Sequence, residues 1–147
     1  MKGAKAVENG QYFEKATDLS KISNNFCRVL HQNEFYKYFD IDWTEFLSKK
    51  IIPDEVVINH QNETIYIIEK KNQTTCGSND EKLYACEAKK LKYSEMLKDT
   101  GYKVEMIYLC NDWFKKPCYK DTFDFMDMKG IKHFFNEIPL NVLGLCA

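Results

Sequence analysis

The sequence lacks the features that would assign the chain to a membrane or to a secretory route. It contains no stretch close to the roughly 20 consecutive apolar residues that a membrane-spanning helix needs. The segment that begins at Met1 has no apolar core of the kind that a signal peptide carries. We therefore expect a cytoplasmic protein with no membrane partner.

The cysteines form no recognisable motif. The six of them are scattered, and no two have the CxxC spacing of redox or zinc sites. Cytoplasmic cysteines are kept reduced, so we expect free thiols. Cys110, Cys118 and His133 are a conceivable set of zinc ligands, although their spacing matches no established zinc motif. The cysteines therefore give no direct indication of function.

The chain also lacks a strong excess of charge. Its net charge is −1 over 147 residues, which is not the basic composition that announces many nucleic-acid-binding proteins. No repeat, linker or low-complexity segment interrupts the sequence, so we expect one domain over residues 1–147. The basic residues are nevertheless grouped, and such groups either form solvated faces or line a phosphate-binding cleft. The groups are Lys49-Lys50, Lys70-Lys71, Lys89-Lys90-Lys92 and Lys115-Lys116-Lys120.

The segment from Pro53 to Gln73 predicts a β-hairpin. Its apolar stretches, residues 56–58 and 65–68, are rich in β-branched and aromatic side chains, as strands are. The polar stretch 60–63 lies between them and is typical of a turn.

The hairpin register places two carboxylates opposite each other. If the turn is centred between residues 61 and 62, Asp54 and Glu69 are equally far from the centre and face each other. Opposed residues in a hairpin have Cβ atoms about 4.5–5.5 Å apart. Side chains alternate between faces, so Lys71 lies on the face of Glu69, and Lys70 lies on the other. Two carboxylates and an amine on one face indicate a metal-dependent phosphodiesterase.

The remaining segments predict an α/β fold. Before the hairpin we expect a helix over 4–31, a strand over 34–41 and a short helix over 43–48 capped by Asp42. After the hairpin we expect a helix from Ser78 or Asn79 to Gly101, a strand over 104–110, a helix over 121–129 and a strand over 131–135. The long helix should turn Tyr84, Ala85, Ala88, Leu91 and Met96-Leu97 toward the core. This order predicts a mixed central sheet flanked by helices on both faces, with a parallel crossover after the hairpin.

These residues resemble a known motif. Pro53-Asp54 followed by Glu69-Lys70-Lys71 is similar to the motif of the PD-(D/E)XK nuclease superfamily, and the element order is similar to its αβββαβ core. The run EKKNQTTCGSNDEKL looks like the form found in some small type II restriction endonucleases, with Gln73 two residues past the lysine. The stretch NGQYFEKATDL resembles their first helix, in which a glutamate can join the site, here Glu14. The chain is shorter than most restriction enzymes and leaves little room for recognition loops.

The resemblance implies a role for each residue of the motif. Asp54, Glu69 and the backbone carbonyl of Lys70 would hold Mg²⁺, and Mn²⁺ should substitute for it. Lys71 would orient or deprotonate the water and stabilise charge on the phosphate. Gln73 would orient water or phosphate, or serve only as a loop residue. Glu14 would join the site or remain an exposed helix residue.

The expected function is therefore that of a Mg²⁺-dependent endonuclease. The substrate would be double-stranded DNA, and the protein would be a type II restriction enzyme or its cleavage subunit. One active site cuts one strand, so a duplex break implies a homodimer or a second subunit. Two alternatives stay open, namely a structure-selective repair or junction nuclease of the same fold and a non-catalytic nucleic-acid-binding module.

Overall fold

The structure is a computed structural model that describes residues 4–5, 26–73 and 83–145. Its strands are β1 Ala4–Lys5, β2 Cys27–His31, β3 Glu55–Asn59, β4 Thr64–Lys71, β5 Lys103–Cys110, β6 Lys132–Phe135 and β7 Glu137–Ile138. Its α-helices are α1 Glu34–Phe39, α2 Cys86–Leu97 and α3 Lys120–Met128. Short 3-10 turns lie at Trp43–Glu45, Lys98–Thr100, Asp112–Lys115, Pro117–Tyr119 and Leu140–Leu143. The predicted α/β class is confirmed.

A five-stranded mixed sheet is the centre of the fold. Its strand order is β2-β3-β4-β5-β6. β3 is antiparallel to both of its neighbours, β2 and β4, whereas β4, β5 and β6 run parallel to one another. Strands β1 and β7 form a separate antiparallel pair. The predicted mixed sheet, with a helix between β4 and the parallel strand β5, is confirmed.

The hairpin of β3 and β4 has the register that the sequence predicts. Glu55 pairs with Ile68, and Asn59 pairs with Thr64. The side-chain oxygen of Asn59 accepts hydrogen bonds from the backbone N–H groups of Gln61 and Asn62, at 2.9 and 3.3 Å. These bonds close the turn and fix the register. A slip of one residue would send every side chain of one strand to the other face.

The two faces of the sheet are covered differently. On the face that we call the helix face, Ile65, Ile67 and other sheet residues pack against buried side chains of all three α-helices. Complete burial of an isoleucine side chain contributes about 1.5–3 kcal/mol. On the opposite face, the tail face, Val57, Ile68 and their neighbours pack against Leu140 and other residues of the C-terminal segment. Within the described residues, the three α-helices cover one face and the 3-10 turn Leu140–Leu143 lies on the other, so α-helices on both faces stay a prediction.

Two predictions upstream of the hairpin are wrong. Residues of the expected helix 4–31 form strands at Ala4–Lys5 and Cys27–His31, while 6–25 lie outside the described residues. β2 is stabilised by pairing with β3 along its whole length. The spacing of apolar residues within β2 gives no information about this distant partner. The expected strand over 34–41 is the helix α1, because Phe35 and Phe39 lie one helical turn apart and pack with ring centroids 5.3 Å apart.

The predictions downstream of the hairpin are confirmed in their main elements. β5, α3 and β6 lie where the sequence places them. Gly101 and Gly130 adopt left-handed conformations, with φ of 73° and 70°, close after the helical segments that they end. Asp42 accepts a hydrogen bond from the Thr44 backbone N–H at 3.0 Å, but the turn that it caps ends at Glu45. The expected caps of α2, Ser78 and Asn79, lie outside the described residues.

The cysteines of the described residues are free thiols, as expected. Cys27, Cys86 and Cys110 are buried, and Cys118 is exposed. Burial raises the pKa of Cys110 to about 12, which disfavours the thiolate that zinc binds. No helix within the described residues combines the length and the apolar character that crossing a membrane requires.

Candidate metal and phosphate site

The helix face of the sheet holds the carboxylates that the sequence predicts to meet. Asp54 directly precedes β3, and Glu69 lies near the C-terminal end of β4. The observed register, extended by one residue from the pair of Glu55 and Ile68, sets Asp54 opposite Glu69. After burial, the charge of Asp54 contributes most to raising the pKa of Glu69. The two carboxyl groups therefore lie close together.

A backbone hydrogen bond fixes Asp54. The N–H of Lys70 donates to Oδ2 of Asp54 at 2.7 Å. This bond connects the segment before β3 to the end of β4, beyond the last pair of residues in the strand ladder. The orientation of Asp54 is thus tied to the strand that positions Glu69.

Glu69 lies in a buried and crowded electrostatic environment. Its side chain is 4% exposed, and Oε2 lies 4.0 Å from Nζ of Lys71 and 3.8 Å from Nζ of Lys89. Burial and the neighbouring Asp54 raise its pKa to about 7, and the ammonium groups of Lys89 and Lys71 only partly offset this. Within the part of the chain that the structure describes, Oε1 has no hydrogen-bond partner. The carboxylate therefore needs further positive charge to ionise fully.

Lys89 joins the site, although the sequence indicates it only as one member of the basic group Lys89-Lys90-Lys92. The sequence predicts that Tyr84 and Leu91 face the core, but they are 54% and 58% exposed. The buried side of α2 instead carries Cys86 and Tyr93. Lys89 lies three residues after the first and four before the second, and this spacing places it on the inner side of the helix. The sequence feature that indicates this position is a lysine placed between the buried residues Cys86 and Tyr93 at helical spacing.

Two tyrosines form the inner wall of the site. Tyr93 of α2 and Tyr108 of β5 are fully buried, and Tyr108 is the strand partner of Glu69. Burial and then the charge of Glu69 raise the pKa of both hydroxyls, so they stay protonated. Lys71 and Lys89, with side chains 14% and 25% exposed, lie on the solvent side. A ligand would therefore enter past the two amines.

The other predicted site residues have different positions. The side chain of Lys70 lies on the tail face, as predicted, and its carbonyl remains a predicted ligand. Gln73 is buried, and its backbone exchanges two hydrogen bonds with the Asn111 side chain, at 3.3 and 2.7 Å. These bonds support a role in holding the loops after β4 and β5 together, and a role of its side chain in catalysis stays a prediction. Glu14 lies outside the described residues.

The residues present suit Mg²⁺ better than zinc. No group of three or more His, Cys, Asp or Glu side chains that could hold a metal occurs within residues 26–73 and 83–145. Mg²⁺ requires less from the protein, since it binds through one or two carboxylates and keeps several waters. Oε1 of Glu69 is buried and has no hydrogen-bond partner among the described residues, so its lone pairs are available to a cation. Asp54 and Glu69 therefore fit a divalent, oxygen-preferring ion.

Comparisons with known proteins leave this chain without a family assignment. No protein-family model matches it, and no curated protein matches it.

The raised pKa of Glu69 predicts a pH dependence of stability for the metal-free protein. The carboxyl has a pKa of 4.5 when unperturbed and about 7 in the fold. The folded state holds this proton more tightly, so the stabilising contribution is complete below the lower value and is lost as pH rises through the higher one. Urea unfolding in EDTA between about pH 5 and pH 8 should show Glu69→Gln losing less stability than the wild type.

The exposed Glu95 provides the control for this comparison, since its side chain is 44% exposed. Glu95→Gln should keep the wild-type pH slope. If Glu69→Gln also keeps that slope, the carboxyl of Glu69 is not perturbed by burial as described.

Proposed function

We propose that the chain is a Mg²⁺-dependent endonuclease of the PD-(D/E)XK type that hydrolyses double-stranded DNA. It would act as a type II restriction enzyme or as the cleavage subunit of one. The observation that carries the proposal is the meeting of Asp54 and Glu69 beside the amine of Lys71 on one face of the sheet.

The arrangement of elements supports the same class. Strands β2, β3 and β4 form an antiparallel meander, α2 follows, and β5 adds parallel to β4. With α1 in the connection between β2 and β3, this order is compatible with the βββαβ part of the core that the resemblance implies. The helix that should precede it falls on residues outside the described ranges.

Each side chain of the site has its own role in the proposed hydrolysis. Mg²⁺ held by Asp54 and Glu69 would supply charge neutralisation and make water a better nucleophile. Lys71 orients the attacking water, and its ammonium group stabilises the charge that develops on the phosphate oxygens. Lys89 approaches from α2 and neutralises the phosphate from a second side. Among the described residues, the buried Tyr93 and Tyr108 form the inner wall, and the partly exposed Lys71 and Lys89 lie on the solvent side.

The surroundings of the site suit a nucleic acid. β4 and β5 are parallel, so the loops after both strands lie at the same edge of the sheet. The loop after β5 carries Lys115 and Lys116, and Nζ of Lys116 lies 3.2 Å from the centre of the Trp113 ring. Lysine contacts to phosphates supply most of the affinity of proteins for DNA. Lys115, which pairs with Asp112 at 3.0 Å, and Lys116 therefore lie at the edge of the sheet that also carries Lys71, where they can contact phosphates.

Incubation of supercoiled plasmid with the protein tests the proposal. We expect nicked and linear products with Mg²⁺ or Mn²⁺, discrete fragments at a defined site, and intact plasmid with EDTA. Linear product requires a homodimer or a second subunit, because each site cuts one strand. Cleavage of branched DNA alone would favour the structure-selective nuclease. DNA binding that is independent of metal and never followed by cleavage would favour the non-catalytic module.

A further inference from the structure

A buried ion pair lies on the tail face, directly behind the carboxylates of the site. Glu55, the first residue of β3, is fully buried, and Lys70 in β4 is 6% exposed. Nζ of Lys70 lies 3.3 Å from Oε1 of Glu55. At the open end of the pair, Nδ1 of His31 lies 3.4 Å from Oε2 of Glu55. The pair therefore joins the start of β3 to the end of β4.

Stability alone does not explain this pair. Both residues are buried, and taking two charges out of water costs free energy that their mutual attraction must offset. Buried ion pairs can often be replaced by apolar side chains of similar volume without loss of stability. Apolar residues such as Val57 and Ile68 already form the core on this face. A charged pair at this place indicates a role other than filling the core.

The two residues of the pair are the sequence neighbours of the two site carboxylates. Glu55 follows Asp54, and Lys70 follows Glu69. The backbone N–H of Lys70 also donates to Oδ2 of Asp54 at 2.7 Å. Lys70 is therefore linked to both carboxylates, covalently to Glu69 and by a hydrogen bond to Asp54.

We propose that the Glu55–Lys70 ion pair is a positioning element that sets the separation of Asp54 and Glu69, and through it the affinity of the site for a divalent cation. The inference rests on the proposed metal-binding role of these carboxylates. Two opposite charges 3.3 Å apart and shielded from water attract each other strongly, whereas an apolar contact tolerates sliding. Loss of the pair should therefore broaden the range of carboxylate separations while the sheet stays folded.

The double variant Glu55→Leu/Lys70→Met tests the inference, because it replaces the pair with apolar side chains of similar size. Thermal unfolding should occur at or above the wild-type temperature. Partners that orient metal ligands typically contribute 10–100-fold in metal affinity, so the Kd for Mn²⁺ from titration calorimetry should rise roughly 10–100-fold. Plasmid cleavage should fall at limiting Mg²⁺ and recover in part at high Mg²⁺.

Two further variants separate positioning from general loosening of the core. Ile68→Val truncates a fully buried residue on the same face and should lower the unfolding temperature without changing the Kd for Mn²⁺. Lys70→Arg keeps a cation opposite Glu55 and should bind Mn²⁺ nearly as tightly as the wild type. If the double variant does not fold, Lys70→Met is compared with Lys70→Arg, and equal Mn²⁺ affinity overturns the inference.

The outcomes for the two proposals differ. Wild-type Mn²⁺ affinity in the folded double variant overturns the positioning role and leaves the proposed nuclease intact. A wild-type chain that binds no Mn²⁺ overturns the metal-dependent function, and the positioning role falls with it. A weaker Mn²⁺ site in the double variant and a normal one in Ile68→Val and Lys70→Arg support both.

Discussion

Glu69→Ala is expected to abolish plasmid cleavage while leaving the fold intact. The change removes the buried carboxylate on which both lysines converge, and with it a proposed ligand of the metal. A bound metal ion contributes several kcal/mol to transition-state stabilisation, and about 1.4 kcal/mol corresponds to tenfold, so the rate should fall by about 10³-fold. Single-turnover cleavage at saturating DNA measures this loss. Calorimetry with Mn²⁺ should show the heat of binding disappear in parallel.

The matched control is a carboxylate outside the site. Glu95 lies on α2, is 44% exposed and pairs with Lys92. Glu95→Ala should cleave and bind Mn²⁺ as the wild type does, because an exposed ion pair contributes little. Cleavage by folded Glu69→Ala at the wild-type rate would remove Glu69 from the chemistry.

Lys71→Ala is expected to separate binding from catalysis. Its amine lies 4.0 Å from Glu69 on the solvent side, where it can reach the water and the phosphate. Loss of a group that stabilises transition-state charge typically costs at least about 10²-fold in rate. Metal and DNA binding should persist, because Asp54, Glu69 and the remaining lysines are unchanged. Gel-shift assays in Ca²⁺ and cleavage rates in Mg²⁺ measure the two properties on the same preparation.

A second lysine variant controls for the loss of charge. Lys92 lies on the same helix as Lys89 and is 41% exposed. Lys92→Ala removes one positive charge and should reduce the cleavage rate far less than Lys71→Ala does. Equal rates for Lys71→Ala and the wild type would contradict the role given to Lys71.

The hairpin could be predicted from sequence because its signals are local and agree with one another. Runs of β-branched residues mark both strands, and a polar turn fixes their centre, so the pairing of Glu55 with Ile68 follows. The faces of Glu69, Lys70 and Lys71 follow from the period of two residues along a strand. The same arithmetic also places Glu55 and Lys70 on one face, although their contact depends on a diagonal approach that the register alone does not show.

Elements that depend on distant partners could not be predicted in this way. β2 is a strand because it pairs with β3, although its own spacing of apolar residues also fits a helix. α1 is rich in aromatic residues, which favour strands, but Phe35 packs against Phe39 and Tyr93 and fixes the helix. The sequence did not show which side of α2 faces the core. Apolar residues lie on both sides of this segment, and Tyr84 and Leu91 are on the exposed one, so the inward position of Lys89 could not be predicted.

The meeting of Asp54 and Glu69 around a divalent ion is the central claim, and crystallography with Mn²⁺ tests it most directly. Crystals grown or soaked in MnCl₂ should give an anomalous difference peak between the two carboxylates, within coordination distance of both. Glu69→Ala crystals treated in the same way should lack the peak. Wild-type crystals with carboxylates that diverge, or with Mn²⁺ bound only elsewhere, would contradict the account.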